Sequence, residues 1–293
     1  MSNIRIIALT SLAMIAFASN SLLCREAIKH TGIDVASFVT IRLISGAMML
    51  WLVVRVRGGT YQGGGNWWSA LALFVYAAGF SFAYVSLSAA TGALLLFGAV
   101  QGTMISYGFW TGERLQRLQS AGLVLAFGGL IGLLLPGLSA PPLHGSLLMS
   151  GAGIAWGIYS LRGKSGGDPT KVTAGNFLRA ATIAAILSLL TFKDFSLDYT
   201  GFWYAISSGA LASGIGYAIW YAALPALKAT NAATVQLTVP IIAALGGIVF
   251  LGETITLRLV LASVAILGGV ALVVLKKQQT KIAPADCPQT DNR

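Results

Sequence analysis

Two stretches of the chain decide the fold: Thr111–Leu135, TGERLQRLQSAGLVLAFGGLIGLLL, and Leu251–Leu275, LGETITLRLVLASVAILGGVALVVL. They align at an offset of 140 residues, which matches Gly112 with Gly252, Glu113 with Glu253, and the Gly-Gly pair 128–129 with the pair 268–269. Upstream of them, residues 84–92 (YVSLSAATG) resemble residues 221–231 (YAALPALKATN). Several matches in the same order indicate an internal repeat.

The composition places most of the chain in lipid. Of 293 residues, 56% are hydrophobic and 10% are charged, which is too little charge to cover a water-facing surface. The sequence has continuous apolar runs rather than the alternating segments of about ten residues that are typical of a membrane barrel. The first run resembles a secretory signal, but nine more follow, so we interpret it as a first span. The predicted spans lie near 4–23, 33–55, 66–87, 90–110, 117–135, 143–161, 171–192, 200–222, 230–251 and 256–275.

The repeat has a consequence for topology. Each copy holds five predicted spans, so the second copy enters the membrane from the opposite side, as in alternating-access transporters. We therefore predict an all-α polytopic membrane protein of ten transmembrane helices in two inverted five-helix repeats, 1–138 and 139–277, followed by a polar tail, 278–293. Thirteen Lys and Arg residues fall in the predicted cytoplasmic segments and four in the outer loops. This bias predicts that both termini are cytoplasmic.

A resemblance supports the transporter interpretation. Residues 221–253, YAALPALKATNAATVQLTVPIIAALGGIVFLGE, contain Pro240 and end in Gly252–Glu253. With the Gly-Glu and Gly-Gly pairs of both copies, they resemble the drug/metabolite transporter superfamily and, within it, the EamA branch. The length and the aromatic spans look most like the YddG-type exporters of aromatic amino acids. The resemblance implies export of small metabolites across a bacterial-type inner membrane. The first copy departs from the pattern, with Gln101–Gly102 where many members carry a proline.

Aromatic and amide side chains supply the candidate substrate cavity. Several aromatic residues recur at a helical spacing of three or four, which places them on one face of each span. Such faces suit a planar, partly apolar ligand, and lipid contact is the alternative. Amides within spans need protein or water partners, so they line the cavity or join helices. The candidates are Asn20, Tyr76, Phe80, Tyr84, Gln101, Trp156, Tyr159, Tyr217, Trp220 and Gln236.

Charged residues divide into two groups. Arg42 and Arg179 fall within predicted spans, each about a third of the way in but from opposite sides, and we interpret them as gate or substrate-carboxylate contacts. The alternative is that each side chain snorkels towards the membrane surface or donates hydrogen bonds to carbonyls of a neighbouring helix. All nine acidic residues fall in loops, at span ends or in the tail, which predicts transport without obligatory proton coupling. Glu113 and Glu253 are predicted to be structural. Each caps the following short turn or pairs with a nearby base, which is Arg114 or Arg117 for the first and Arg258 for the second.

The sequence argues against other classes of protein. The net charge of +10 is scattered rather than clustered with aromatic residues, so we expect no nucleic acid partner. No GxSxG or HExxH motif is present and no His lies in a predicted span, so we expect no enzyme, catalytic residue, cofactor or metal site. The expected partners are a small-molecule substrate and the lipid bilayer. The sequence leaves the oligomeric state open, so the protein can be a monomer. Two alternatives to an amino acid exporter also stay open: an exporter of drugs or other metabolites, and a receptor that binds without flux.

Overall fold

The computed structural model describes residues 2–59, 64–112, 117–135, 137, 140–163, 168–227 and 235–280. Within these ranges every regular element is helical, which confirms the predicted all-helical class. Glu113 lies outside the described residues, as do Arg114 and the polar tail beyond Thr280.

The first half of the chain forms five helices. Two of them begin at residues whose side chains cap the first turn: Asp34 accepts from the Ser37 N–H at 2.9 Å, and Asn66 accepts from the Ser69 N–H at 2.9 Å. The positive φ of Gly112 marks the end of the last turn after the fourth helix. The helices are α1 (Asn3–His30), α2 (Val35–Val56), α3 (Trp67–Ala83), α4 (Ala89–Trp110) and α5 (Arg117–Leu134).

The second half follows a similar order with one irregularity. Its second helix begins at Asp168 and Pro169, where the carboxylate accepts from the Thr170 N–H at 2.9 Å. Its third helix changes from α to π geometry and back, so the predicted span 200–222 is a single helical segment in three parts. The elements are α6 (Leu143–Arg162), α7 (Pro169–Leu190), α8 (Tyr199–Ile206), a π-helix (Ser207–Ile215), α9 (Gly216–Ala223), α10 (Thr238–Leu251) and α11 (Leu257–Thr280), with short 3-10 turns at Phe192–Asp194 and Leu224–Ala226.

Length and apolar composition identify membrane-spanning helices. Five of the described helices are long and apolar enough to cross a bilayer: α1, α2, α4, α5 and α7. Helices α3 and α10 and residues 257–272 of α11 are apolar but shorter. Many large apolar side chains also point outward, and Trp110 is 92% exposed. The chain is therefore a multi-pass membrane protein, while the number of ten spans stays a prediction.

Helix contacts come in pairs that are related by exchanging the first half of the chain with the second. Helix α1 packs against α10, and α6 packs against α4. Helix α1 also packs against α8, the π-helix and α9, whereas α6 packs against α3. Helix α2 packs against α7, and α5 packs against α11. Each of these contacts thus has a counterpart in which the two halves change places, while the inverted repeat itself stays a prediction.

Small residues allow close approach where α5 crosses α11. A Cβ built on Gly129 would lie 2.7 Å from Ala265 Cβ, and one built on Gly269 would lie 2.4 Å from the Gly122 carbonyl oxygen. The neighbouring Gly128 and Gly268 face open space within 4 Å. One glycine of each repeated pair therefore packs at the crossing, as expected for close helix packing, while the other does not.

Candidate functional site

A small aromatic cavity lies at the centre of the bundle. It is lined from α1, α3, α4, α6, the π-helix and α9, and also by a residue just before α10. Its open volume is about 30 Å³, which accommodates roughly a water molecule. Six of the ten predicted cavity residues line it: Asn20, Tyr76, Phe80, Trp156, Tyr217 and Gln236.

Trp156 is the centre of the aromatic wall. Its ring stacks on Tyr217 at a centroid distance of 5.3 Å and on Tyr159 at 5.4 Å. On a third side, the Tyr76 ring lies 4.8 Å away at a tilt of 45°. The spacing of Tyr76 and Phe80 by four residues on α3 places both on the cavity side of that helix. The wall offers flat apolar surfaces that suit an aromatic ring or the face of a planar group.

Four other predicted residues surround the cavity without lining it. Tyr84 is fully buried behind Phe80, and its hydroxyl donates to the Ala89 carbonyl at 3.4 Å. Trp220 packs edge-on against Phe17 at 6.1 Å. Tyr159 supports Trp156 from behind, and Gln101 is buried on α4 with its Nε2 lacking a hydrogen-bond partner among the described residues.

Two lining residues of α1 were missing from the sequence prediction. Phe17 and Ser21 line the cavity beside Asn20, and the Phe17 ring lies 5.5 Å from Tyr217. The spacing 17, 20, 21 places the three residues on one face of α1. The polar Asn20 in an apolar span was therefore the signal that could have found them.

A buried polar chain connects the cavity with α2. Ser208 on the π-helix donates to Asn20 Oδ1 at 2.6 Å, and Asn20 Nδ2 donates to the Tyr76 hydroxyl at 3.4 Å. The same hydroxyl accepts from Arg42 Nη2 at 3.3 Å. These contacts fix the orientation of the Asn20 amide in an otherwise apolar wall.

The two intramembrane arginines have different surroundings. Arg42 is 1% exposed, and its guanidinium lies over the rings of Tyr76 and Phe80 at 5.4 and 5.0 Å. Arg179 Nη1 donates to the Gly64 carbonyl at 2.7 Å and to the Gly175 carbonyl at 3.0 Å. Arg179 thus bonds to a carbonyl just before α3 and to one of its own helix, rather than to a neighbouring helix, whereas Arg42 lies behind the cavity wall.

Glu253 joins the two halves of the chain. It follows Gly252, which ends α10 in the left-handed conformation with a φ of 61°. Both carboxylate oxygens accept from the Ala89 N–H at 2.9 Å, at the start of α4, and one lies 3.5 Å from Arg25 Nε. The expected pair with Arg258 is wrong, because Arg258 Nε instead donates to the Gly132 carbonyl at 3.1 Å, at the end of α5.

Pro240 and Gly112, the other described motif residues, lie at helix ends, where their residue types suit the backbone. Pro240 lies buried in the first turn of α10, where a missing backbone N–H leaves no intrahelical hydrogen bond unmade. Gly112 has a φ of 88° just past α4 and corresponds in sequence to Gly252. Its neighbour Glu113 is outside the described residues, so its predicted partner stays a prediction.

The apolar helical bundle and its central cavity fit a membrane transporter, and comparisons with known proteins point to the same class. Residues 143–275 match the model of the EamA-like transporter family. An uncharacterized protein of Pseudomonas aeruginosa is 56% identical over 270 residues, covering 92% of this chain and 94% of that protein. The second half of the chain is therefore similar to the EamA-like transporter family, which supports a place for the chain in the drug/metabolite transporter superfamily. This agrees with the superfamily predicted from the sequence and points to a transporter rather than an enzyme, while the likeness to YddG-type exporters stays a prediction.

Two further proteins are similar to this chain at lower sequence identity. The threonine/homoserine exporter RhtA of Escherichia coli K12 is 32% identical over 145 residues, which are 47% of this chain and 49% of the exporter. The chain thus matches about half the length of that relative. A protein solved by crystallography covers 96% of this chain and 100% of its own, with a TM-score of 0.66 and 18% identity. This second similarity concerns the fold alone.

Proposed function

We propose that the chain is an alternating-access exporter of small neutral metabolites, with aromatic and hydrophobic amino acids as the leading substrates. The observation that carries the proposal is the central cavity walled by Trp156, Tyr217, Tyr76 and Phe80. Stacked aromatic faces with a few amide groups suit a planar ring that carries a polar head.

The arrangement of helices supports the alternating-access part of the proposal. The cavity is lined by helices from both halves, and the main packing contacts exchange between the halves, as expected for two inverted repeats. At about 30 Å³ the cavity is far smaller than the several hundred Å³ of a typical ligand site. A substrate therefore requires the halves to separate, and residues 1–138 and 139–277 are the proposed moving units.

The distribution of acidic residues supports transport without obligatory proton coupling. Asp34 and Asp168 cap helix starts, and Glu253 follows the end of α10. In the described part of the chain, no carboxylate lines the central cavity. A mid-membrane carboxylate or His is the usual site of proton exchange in a coupled carrier.

The similarity to RhtA favours a second substrate group. That relative is named for export of threonine and homoserine, which are small amino acids with a hydroxyl group. The aromatic wall of this chain favours amino acids with larger rings over threonine and homoserine. Transport rates of the two groups of substrates can be compared in one assay. We place the protein in a bacterial-type inner membrane with both termini cytoplasmic.

Flux in liposomes tests the proposed function. The purified protein is reconstituted, and entry of labelled phenylalanine, tryptophan and threonine is measured with and without a proton gradient, with empty liposomes as control. The proposal predicts saturable flux of the two aromatic amino acids that is faster than threonine flux and persists without the gradient. Binding without flux would instead indicate a receptor, and flux only with the gradient would contradict the uncoupled mechanism.

A further inference from the structure

Arg42 is a buried cation whose hydrogen-bonding capacity is mostly unused. A guanidinium has five N–H donors, and Arg42 donates one hydrogen bond, from Nη2 to the Tyr76 hydroxyl at 3.3 Å. Its Nε and Nη1 atoms are buried and have no partner among the described residues. Buried polar groups are normally satisfied, so an exception of this size calls for an explanation.

The charge of Arg42 is also without a counter-ion in the described part of the chain. The ion pairs found there join Arg25 with Glu253 and His30 with Glu26, and both lie away from α2. The faces of Tyr76 and Phe80 compensate the charge in part by cation–π attraction. An unpaired charge inside a membrane protein is costly, and it is retained where a ligand or an ion path uses it.

The position of Arg42 points to the substrate cavity. Tyr76 and Phe80, the two rings beneath the guanidinium, are themselves cavity-lining residues. The Tyr76 hydroxyl also accepts from Asn20, a third lining residue, at 3.4 Å. One aromatic layer thus separates the guanidinium from the cavity, and this layer must move when the cavity widens for a substrate.

We propose that Arg42 binds the carboxylate of the substrate and that the substrate's amino group is dispensable. The inference rests on the proposed function and extends it to a substrate class: small aromatic carboxylates, with or without an ammonium group. A carboxylate fits the free Nε and Nη1 donors in the paired geometry that arginine favours. No acidic side chain lines the described cavity to bind an ammonium group, so the site selects for the anion alone.

Two analogues of phenylalanine separate the contributions of its charged groups. In 3-phenyllactate a hydroxyl replaces the ammonium group and the carboxylate stays, whereas phenylalanine amide keeps the ammonium group and lacks the carboxylate. Each is added unlabelled to a counterflow assay with labelled phenylalanine. We expect 3-phenyllactate to inhibit within about threefold of unlabelled phenylalanine, and the amide to inhibit at least about tenfold more weakly, as loss of a charge-assisted pair implies.

Substitutions identify the residue responsible. Arg42→Gln is expected to remove the preference for phenyllactate over the amide, and Arg42→Lys to keep part of it because the charge stays while the fork is lost. Arg55→Gln is the matched control, since Arg55 lies exposed on the same helix. The preference is a ratio of two inhibition constants, which a general loss of folded protein does not change.

The outcomes are distinct from those of the proposed function. Equal inhibition by phenyllactate and the amide in the wild type would overturn the inference while leaving amino acid transport intact. If phenylalanine is not carried at all, the proposed function fails, and ligand-induced thermal stabilisation of the detergent-purified protein decides the inference. Stabilisation by phenyllactate and not by the amide, lost in Arg42→Gln, would support it, and any other pattern would overturn it.

Discussion

Replacing Gly269 by alanine tests how closely α5 and α11 approach. The added Cβ would lie 2.4 Å from the Gly122 carbonyl oxygen and 2.7 Å from the Ala126 backbone nitrogen. Non-bonded heavy atoms normally stay about 3.5 Å apart, so the helices must separate by about 1 Å at this crossing. Backbone atoms cannot rotate away as side chains do, and overpacking of this kind costs about 1–3 kcal/mol.

Gly268→Ala is the matched control for this prediction. Its Cβ would meet nothing within 4 Å, and alanine favours a helix over glycine by about 1 kcal/mol. Thermal unfolding in detergent should therefore show Gly269→Ala melting several degrees below the wild type, and Gly268→Ala at or slightly above it. A Gly269→Ala variant that melts with the wild type would refute the close crossing.

Two further variants test contacts between the halves. Glu253→Ala removes the carboxylate that caps α4 at Ala89, and we expect the free energy of unfolding to fall by about 1–3 kcal/mol. Glu26→Ala is the control, and we expect little change because its partner His30 is exposed. Ser208→Ala leaves Asn20 Oδ1 without its 2.6 Å hydrogen bond, and a loss of about 1–3 kcal/mol is expected. Thermal melting checks both, and unchanged melting of either variant would contradict the corresponding contact.

The sequence predicted the helical fold because membrane helices leave a strong local record. Apolar runs of about 20 residues, separated by charged or glycine-rich breaks, placed most of the helices close to their observed bounds, although α1 runs on to His30 past the predicted end at residue 23. The short gap between the predicted spans 66–87 and 90–110 corresponds to an observed break, since α3 ends at Ala83 and α4 begins at Ala89. The π-helix at Ser207–Ile215 has no such record, because its residues are as apolar and small as those of an α-helix.

The site was predicted in part, and the division has a physical reason. Helical spacing identified residues that share a face, so Tyr76 with Phe80 pointed to the cavity. Spacing cannot tell the cavity from the layer behind it, which is why Tyr84 was grouped with them although it lies buried behind Phe80. Helical spacing also cannot identify partners that are distant in sequence. This is why the sequence paired Glu253 with the nearby Arg258, whereas the structure pairs it with Ala89 and Arg25.

The most direct test of the central claim compares two tryptophan substitutions in the liposome flux assay. Trp156→Ala removes the ring on which Tyr76, Tyr159 and Tyr217 converge, whereas Trp110→Ala removes a ring that is 92% exposed at the end of α4. The account predicts that Trp156→Ala lowers phenylalanine flux at least about tenfold while Trp110→Ala stays near the wild type. Equal flux in both variants would contradict a substrate site in the central aromatic cavity.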